Sequence, residues 1–469
     1  MGLIGRAAAM ARQRLKATEE PLRTTAGLAL RGLGIERRAE PLPLRQELPL
    51  AFRAYRPDDS AVPIVCVTPP SGDFMHSFFD VCPISPSGRY LAVTRLPFTW
   101  RYPAPGDLAE VCVVDLERRT LRALHRTDGW ALQLGAHLHW HPGDDRFLFC
   151  NERGDGAGAA VRIDLETGEL RRFAAPIYAI APDGRYALSP ALDLINASQQ
   201  GYGVPETPWR RRRLAADGPS TAEGLHRLDL ETGRVEMLLS IADLARPLLA
   251  PAERRRAASY LFHVKIAPDG GRIFQVLRSR GLPDRPAAWR SGIVTFDSVG
   301  GDLTAALSYR DWDRGGHHPS WLPDSRHILM NLASDEGGEL RFVAFGQDGG
   351  GRCIVAAGRR GSGHPSIEPT GRLLVTDAYL NEGFAVPDGL APLRGLALRD
   401  GSERLLAALD CGPPNLRARR IDPHPAWSRD GRRLVVNACI GGRRQVLLAE
   451  MGGLIDSLSA PASETRLAA

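Results

Sequence analysis

Short apolar runs, each closed by a polar turn, recur along nearly the whole chain. The clearest phrase is Gly315-Gly316-His317-His318-Pro319-Ser320-Trp321-Leu322-Pro323-Asp324-Ser325-Arg326-His327-Ile328-Leu329-Met330. It opens on polar, His-bearing positions, passes a Pro-Asp-Ser turn and ends in an apolar run, the pattern of a strand entered through a tight turn. The turn returns as Ser85-Pro86-Ser87-Gly88-Arg89, His141-Pro142-Gly143-Asp144, Ala181-Pro182-Asp183-Gly184-Arg185, Ala267-Pro268-Asp269-Gly270, Glu368-Pro369-Thr370-Gly371-Arg372 and Ser428-Arg429-Asp430-Gly431-Arg432, seven copies in all. After each copy comes a second phrase, a strand ending in another polar turn. Val113-Val114-Asp115-Leu116-Glu117, Arg162-Ile163-Asp164-Leu165-Glu166-Thr167-Gly168 and Arg227-Leu228-Asp229-Leu230-Glu231-Thr232-Gly233 are its strongest forms. Two alternating turn types predict about four short strands per unit, which is one propeller blade. The expected fold is all-β, a seven-bladed β-propeller over residues 46–455.

Residues 1–45 form an N-terminal extension, Ala-, Arg- and Leu-rich at helical spacing but broken by Gly32 and Gly34, either an amphipathic helix or a frayed tail. Residues 48–55 and 62–68 read as strands ahead of the first full blade, and residues 456–469 as a polar tail. A ring closes best when one terminus donates a strand to the blade begun by the other, since closure removes exposed edges. The N-terminal strands are therefore expected to complete the blade that ends near Met451. Between Pro86, Pro142, Pro182, Pro268, Pro323, Pro369 and Arg429 the spacings are 56, 40, 86, 55, 46 and 60 residues. The spacing of 86 holds an insertion at about 196–223, with Gln199-Gln200-Gly201-Tyr202-Gly203 and Trp209-Arg210-Arg211-Arg212-Arg213. Those arginines beside Trp209 and Tyr202 either grip an anionic sugar through forked charge-assisted bonds and ring stacking or form a solvated charge run.

Composition narrows the function classes. Hydrophobic content of 43% with 49 Gly and 36 Pro suits a soluble, turn-rich β protein. The net charge of +6 suggests nucleic acid, but the arginines are scattered rather than banked, and Lys16 and Lys265 are the two lysines among 60 basic residues. No nucleic-acid partner is expected. Seven cysteines without CxxC spacing predict reduced, mostly buried thiols. No apolar run approaches the ~18 residues of a membrane span. The N-terminus lacks a long apolar stretch typical of a secretory signal, and Arg6 stands where a myristoylation motif wants Ser or Thr. A cytoplasmic protein is the expectation. No Gly-x-Ser-x-Gly elbow follows the repeats, which argues against a propeller-capped serine peptidase.

Aligned on the turn proline, or on Arg429 in the last unit, five units carry His five residues earlier: His137, His263, His318, His364 and His424. Innermost propeller strands start around the central channel, so these imidazoles are expected to converge near its mouth, as donors for a divalent metal or an anionic substrate. The alternative is a repeat-consensus histidine bonding the neighbouring blade. Asp422 precedes His424 by two residues, His139 follows His137, and Lys265 follows His263, each on the same side of its strand. His76 is a further candidate, whereas His125, His226 and His327 fall outside the register and read as structural. Lys265 is either a base, its proton destabilised by neighbouring cations, or a salt-bridged structural lysine.

The Pro-Asp-Gly-Arg repeats resemble those of TolB-type propellers. The histidine pattern is more specific, and resembles the oligogalacturonate lyase family, seven-bladed propellers that cleave uronic-acid oligosaccharides by β-elimination with Mn²⁺ in the channel. The resemblance covers residues 80–451. That family binds its metal through a His on one blade and a Gln-x-x-His-x-His run on the next. By resemblance His364 is the first ligand and His424 the last, Asp422 stands at the middle His and Arg419 at the Gln. Aspartate still suits Mn²⁺ or another oxygen-preferring divalent cation. Arginine cannot ligate, so either the metal site is remodelled or Arg419 meets the substrate carboxylate directly. His318 matches a further active-site His, and Arg278 or Arg280 follows the blade where the family places an arginine near the scissile sugar. The candidates for catalysis are thus His318 and Arg278 by resemblance and Lys265 from its position, with His137, His139, His263, Tyr202, Trp209, Arg210 and Arg419 toward the anionic oligosaccharide. The competing expectation is a non-catalytic TolB-like propeller, a glycan-binding or protein-interaction scaffold, favoured by the altered ligand run.

Overall fold

The two recurring turns are built by their own side chains. In the first, Asp183, Asp269, Asp324 and Asp430 each accept, at Oδ1, the backbone N–H two residues on, at 2.8–3.1 Å. The next position takes a left-handed backbone, with φ of 73° at Gly184, 78° at Gly270 and 68° at Gly431, so glycine recurs there; Ser325 adopts φ 60° in its place. In the second turn Asp115, Asp164 and Asp229 accept two successive N–H groups. Arginines of the first turn also reach the aspartates of the second, as Arg89 to Asp115 at 2.7 Å and Arg146 to Asp164 at 2.6 Å. Blades 1 and 2 are thus stapled by residues that the repeat itself supplies.

The computed structural model describes residues 38–154, 158–205, 218–282, 286–333, 338–384, 386, 389–412 and 420–458. Seven antiparallel sheets follow one another in chain order. Their innermost strands are Asp73–Met75, His139–His141, Ala179–Ile180, Ala258–Ile266, Gly316–Trp321, Ser366–Ile367 and Ala426–Trp427, blades 1 to 7. The insertion of blade 3 lies between Tyr186–Ser189 and Gly224–Asp229 and begins with the helix Leu192–Ser198. Apolar residues from the facing sides of adjacent blades interleave; one cluster joins Leu50, Val67 and Phe74 to Val435, Val446 and Leu448.

Closure uses the N-terminal segment, divided between two blades. Ile64–Cys66 pairs with Arg443–Glu450 of blade 7, and Arg53–Ala54 pairs outside it. Glu47–Pro49, expected to join the same blade, instead lies on Thr120–Thr127 of blade 1. The physical reason lies in Leu50, whose N–H bonds Arg119 O at 2.9 Å and whose side chain packs into the cluster between blades 1 and 7. The chain therefore crosses the seam there rather than staying on one side. All seven cysteines are free. Among the described residues no helix is long and apolar enough to cross a membrane.

Candidate functional site: a histidine-lined channel

The innermost strands are distorted where the histidines sit. The ladder shifts register between Leu261 and Val264 around His263, and between His317 and Ser320 around His318. His137, His318 and His424 take left-handed backbones, with φ of 52°, 57° and 50°. Such a conformation costs a non-glycine residue about 1–2 kcal/mol, and bulges of this kind re-aim side chains. In blade 6 the preceding Gly363 carries the positive φ, 63°, and a Cβ there would lie 2.1 Å from Asp377 O. Glycine is needed for this approach, which lets the His364 N–H bond Asp377 Oδ1 at 2.6 Å.

Polar residues on the second strands of blades 4 to 7 clamp these kinks, Asn331 reaching from blade 5 to blade 6. Asn331 Nδ2 donates to Gly363 O at 2.8 Å, Asn437 Nδ2 to Asp422 O at 3.3 Å, and Gln275 Nε2 to His263 O at 2.9 Å. Asp377 is the blade 6 member. Asn331, Asp377 and Asn437 each stand eight residues after the turn position, inside an apolar strand. That interruption was the signal for Asp377, which the histidine register alone does not reveal.

His364, Asp422 and His424 come together, with one ligand atom from each mutually within 4.8 Å and all three residues buried. Asp377 holds His364 Nδ1 at 2.9 and 3.0 Å from its two oxygens, leaving Nε2 buried without a hydrogen-bond partner. Both ring nitrogens of His424 are likewise buried and unpartnered. The His318 ring lies 3.8 Å from that of His364, and its Nδ1–H donates to Gly363 O at 2.6 Å, so Nε2 keeps its lone pair. Burial, then neighbouring cationic charge, pushes His318 and His424 well below the ordinary histidine range, so both rings are neutral at pH 7. Two unpartnered imidazoles, one oriented by a carboxylate, beside an aspartate are a donor set that fits a divalent cation.

Toward solvent the cluster is rimmed by Arg420 and Tyr379, which the sequence reading did not single out, and by Tyr202, which it did. Arg420 grips Asp422 with its Nε at 2.8 Å from each oxygen, while nearly half of its own side chain stays exposed. The Tyr379 hydroxyl stands 3.4 Å from His318 Nε2. Burial raises Tyr379 well above the ordinary tyrosine value and Tyr202 to about 12, so both stay protonated. Tyr202 reaches this rim from the blade 3 insertion, where Gly201 O also accepts from Gln133 N at 2.9 Å. Phe78, from blade 1, fills the channel centre, its ring 4.6 Å from His424, 5.3 Å from His263 and 5.9 Å from His364. Blade 1 has no His in the register, and the Phe78-Phe79 pair near that place was its visible substitute.

The other expected site residues divide. Arg278 bonds Tyr260 Oη at 3.0 Å, Ser291 Oγ at 3.1 Å and Gln199 of the insertion, a brace beside Tyr202 and His263. Arg280 lies over Trp289, 5.0 Å from the ring. His263 accepts from or donates to the Tyr178 hydroxyl through Nδ1. Lys265 is ion-paired with Asp80 at 2.6 Å and donates to Pro319 O at 2.6 Å. With His137 and His139 it lines a separate cavity that none of His318, His364, Asp422 and His424 reaches. His76 Nε2 lies 3.4 Å from Pro423 O, and its ring is 6.5 Å from that of His424. His125 pairs with Glu152 at 2.9 Å and His327 with Asp324 at 2.6 Å. Trp209, Arg210 to Arg213 and Arg419 lie outside the described residues.

Fold and site together define a seven-bladed propeller with a buried histidine cluster at its channel. No protein-family model matches the chain, and no curated protein matches it in sequence. Solved structures do. An oligogalacturonate lyase in complex with manganese superposes with a TM-score of 0.61 at 15% identity, covering 87% of this chain and 98% of that one. The oligogalacturonate lyase of Vibrio parahaemolyticus gives 0.58 at 15% identity, over 87% and 99%. TolB from Acinetobacter baumannii matches more loosely, with a TM-score of 0.37 at 11% identity, over 78% and 81%. The chain shares the propeller fold of the oligogalacturonate lyases, as the histidine pattern led one to expect.

Proposed function

We propose that this protein is a lyase that cleaves a uronic-acid-containing oligosaccharide by β-elimination, with a divalent cation such as Mn²⁺ held by His364, His424 and Asp422. One observation carries the reading: the unpartnered nitrogens of His364 and His424 converge beside Asp422 in a fold shared with a lyase solved with manganese. When bound, such a cation neutralises a uronate carboxylate and so makes the proton on the adjacent carbon acidic.

The chain's own residues do the rest. Arg420, exposed at the rim, offers its guanidinium to the carboxylate of the incoming sugar. His318 Nε2 accepts the C5 proton, and the arriving carboxylate raises the proton affinity of that ring. The electron pair of the broken C–H bond becomes the second bond of the C4–C5 double bond, the C4–O pair leaves on the departing oxygen, and that oxygen takes a proton from water. The Tyr379 hydroxyl beside His318 orients that ring before substrate arrives. Lys265, engaged with Asp80 across the Phe78 and Phe79 rings, has no step in this reading.

The scaffold reading draws on a different observation, the forked grip of Arg420 on Asp422, which a cation would have to share. One experiment separates the two. The protein with Mn²⁺ is incubated with a panel of oligouronides, and ultraviolet absorbance of the unsaturated product is followed. A rise that EDTA abolishes is expected. Binding of oligouronides without any rise, cation present, would leave a glycan-binding propeller and end the lyase reading.

A further inference from the structure

Five residues beyond His424 on the chain, at the turn end of the inner strands, Arg429 helps to line a cavity of about 190 Å³. This is room for roughly six waters at ~30 Å³ each. Asp80, His137, His139, Trp140 and Lys265 contribute to its wall. Phe78 lies between this cavity and the histidine cluster, its ring 4.6 Å from that of His424 and 5.7 Å from the Lys265 ammonium.

Two features make the cavity a built site rather than a packing gap. His137 Nδ1 and His139 Nε2 are buried without hydrogen-bond partners, in residues only 5% and 8% exposed. An unpartnered polar atom at that depth carries a desolvation cost, which a ligand hydrogen bond would relieve. The charges also leave a remainder. The Lys265 ammonium is met by the Asp80 carboxylate at 2.6 Å, whereas Arg429 bonds neutral groups, the Ile84 carbonyl and the Cys82 sulfur at 3.6 Å. With Lys265, Arg429 and Asp80 the wall carries a net charge of +1, in a space flanked by the Trp140 and Tyr178 rings. Burial, then the charge of Arg429, pushes His139 down to about 4, so its ring takes part as a neutral hydrogen-bonding group.

We propose that this cavity is a second ligand site, distinct from the histidine cluster, for a small organic monocarboxylate no larger than one sugar ring. The carboxylate pairs with Arg429, and hydroxyl or carbonyl groups of the ligand meet the unpartnered nitrogens of His137 and His139. The site does not depend on the lyase reading, because none of its residues belongs to that cluster.

The test is titration calorimetry of the full-length protein with D-glucuronate, with glucose as its neutral counterpart. Glucuronate should bind and glucose should bind at least about tenfold more weakly, the loss expected for a charge-assisted bond. Arg429→Gln and His139→Phe, each checked for an unchanged melting temperature, should weaken glucuronate by about tenfold or more, whereas His364→Ala should leave it bound. Absence of binding to the wild-type protein, equal binding of glucose, or full affinity in Arg429→Gln would each overturn the proposal. Loss in His364→Ala with retention in Arg429→Gln would overturn it too, placing the carboxylate in the histidine cluster.

Discussion

Asp377 is almost fully buried, yet it decides what His364 can do. By fixing Nδ1 as the protonated nitrogen it turns Nε2, lone pair outward, toward His424 and Asp422. Asp377→Asn keeps the shape of the carboxylate and loses its charge. Mn²⁺ affinity, measured by titration calorimetry, should fall by roughly 10- to 100-fold with the fold intact. Unchanged affinity would remove His364 from the cation site. His318 makes a different expectation, because its lone pair is assigned to the proton and not to the cation. His318→Ala should lower the elimination rate by about 10²- to 10⁴-fold while KM changes little. A rise in KM at full rate would mark His318 as a binding residue instead.

At the scale of elements, the strand Ile64–Cys66 is the closure. It is hydrogen-bonded on both sides, to Arg53–Ala54 and to Arg443–Glu450, and Val65 stands opposite Leu448. Proline inside a doubly paired strand removes a ladder donor and clashes with its neighbour. Val65→Pro should cost roughly 2–4 kcal/mol and lower the melting temperature, and it should expose the edge of Arg443–Glu450 to self-association. Light scattering on gentle heating would register that exposure, and an unaltered melting curve would show that the ring closes without this strand. The clamped bulges of the inner strands belong to the same scale: on blades 4, 6 and 7 the second strand carries a polar residue, Gln275, Asp377 or Asn437, that holds the kink beside His263, His364 or His424.

Across the whole molecule, the channel buries histidines in their neutral form. His139, pushed to about 4 by burial and then by Arg429, would titrate near 6.5 in the unfolded chain. Between those values the unfolded state binds the proton and the folded state does not, so acid favours unfolding. This contribution to stability is complete above about pH 6.5 and is lost as the pH falls toward 4, on the order of 3 kcal/mol for His139 alone. Calorimetry should therefore give a melting temperature that is flat between about pH 7 and 8 and falls steadily below 6.5. A protein most stable near pH 5 would contradict the buried neutral rings.

The sequence by itself determined the blade number, the turn chemistry and the histidine register, because these are local: an aspartate bonds the backbone two residues on, and a period of one blade repeats them. Register also marked His364 and His424, since equal register places residues at equal depth along neighbouring strands, and Asp422 was marked by standing two residues before His424 on the same side of its strand. Only the tertiary structure decided which members of the register share a space. Phe78 comes from a blade with no such histidine, and it divides the expected single site into the His364 cluster and the Lys265 cavity. Arg420, which the sequence did not single out, is the arginine seen on Asp422, two residues along the chain. The N-terminal strands split across the seam because Leu50 packs between the first and last blades. Such contacts join residues hundreds of positions apart, and packing between blades, which no local pattern encodes, is what brings them together.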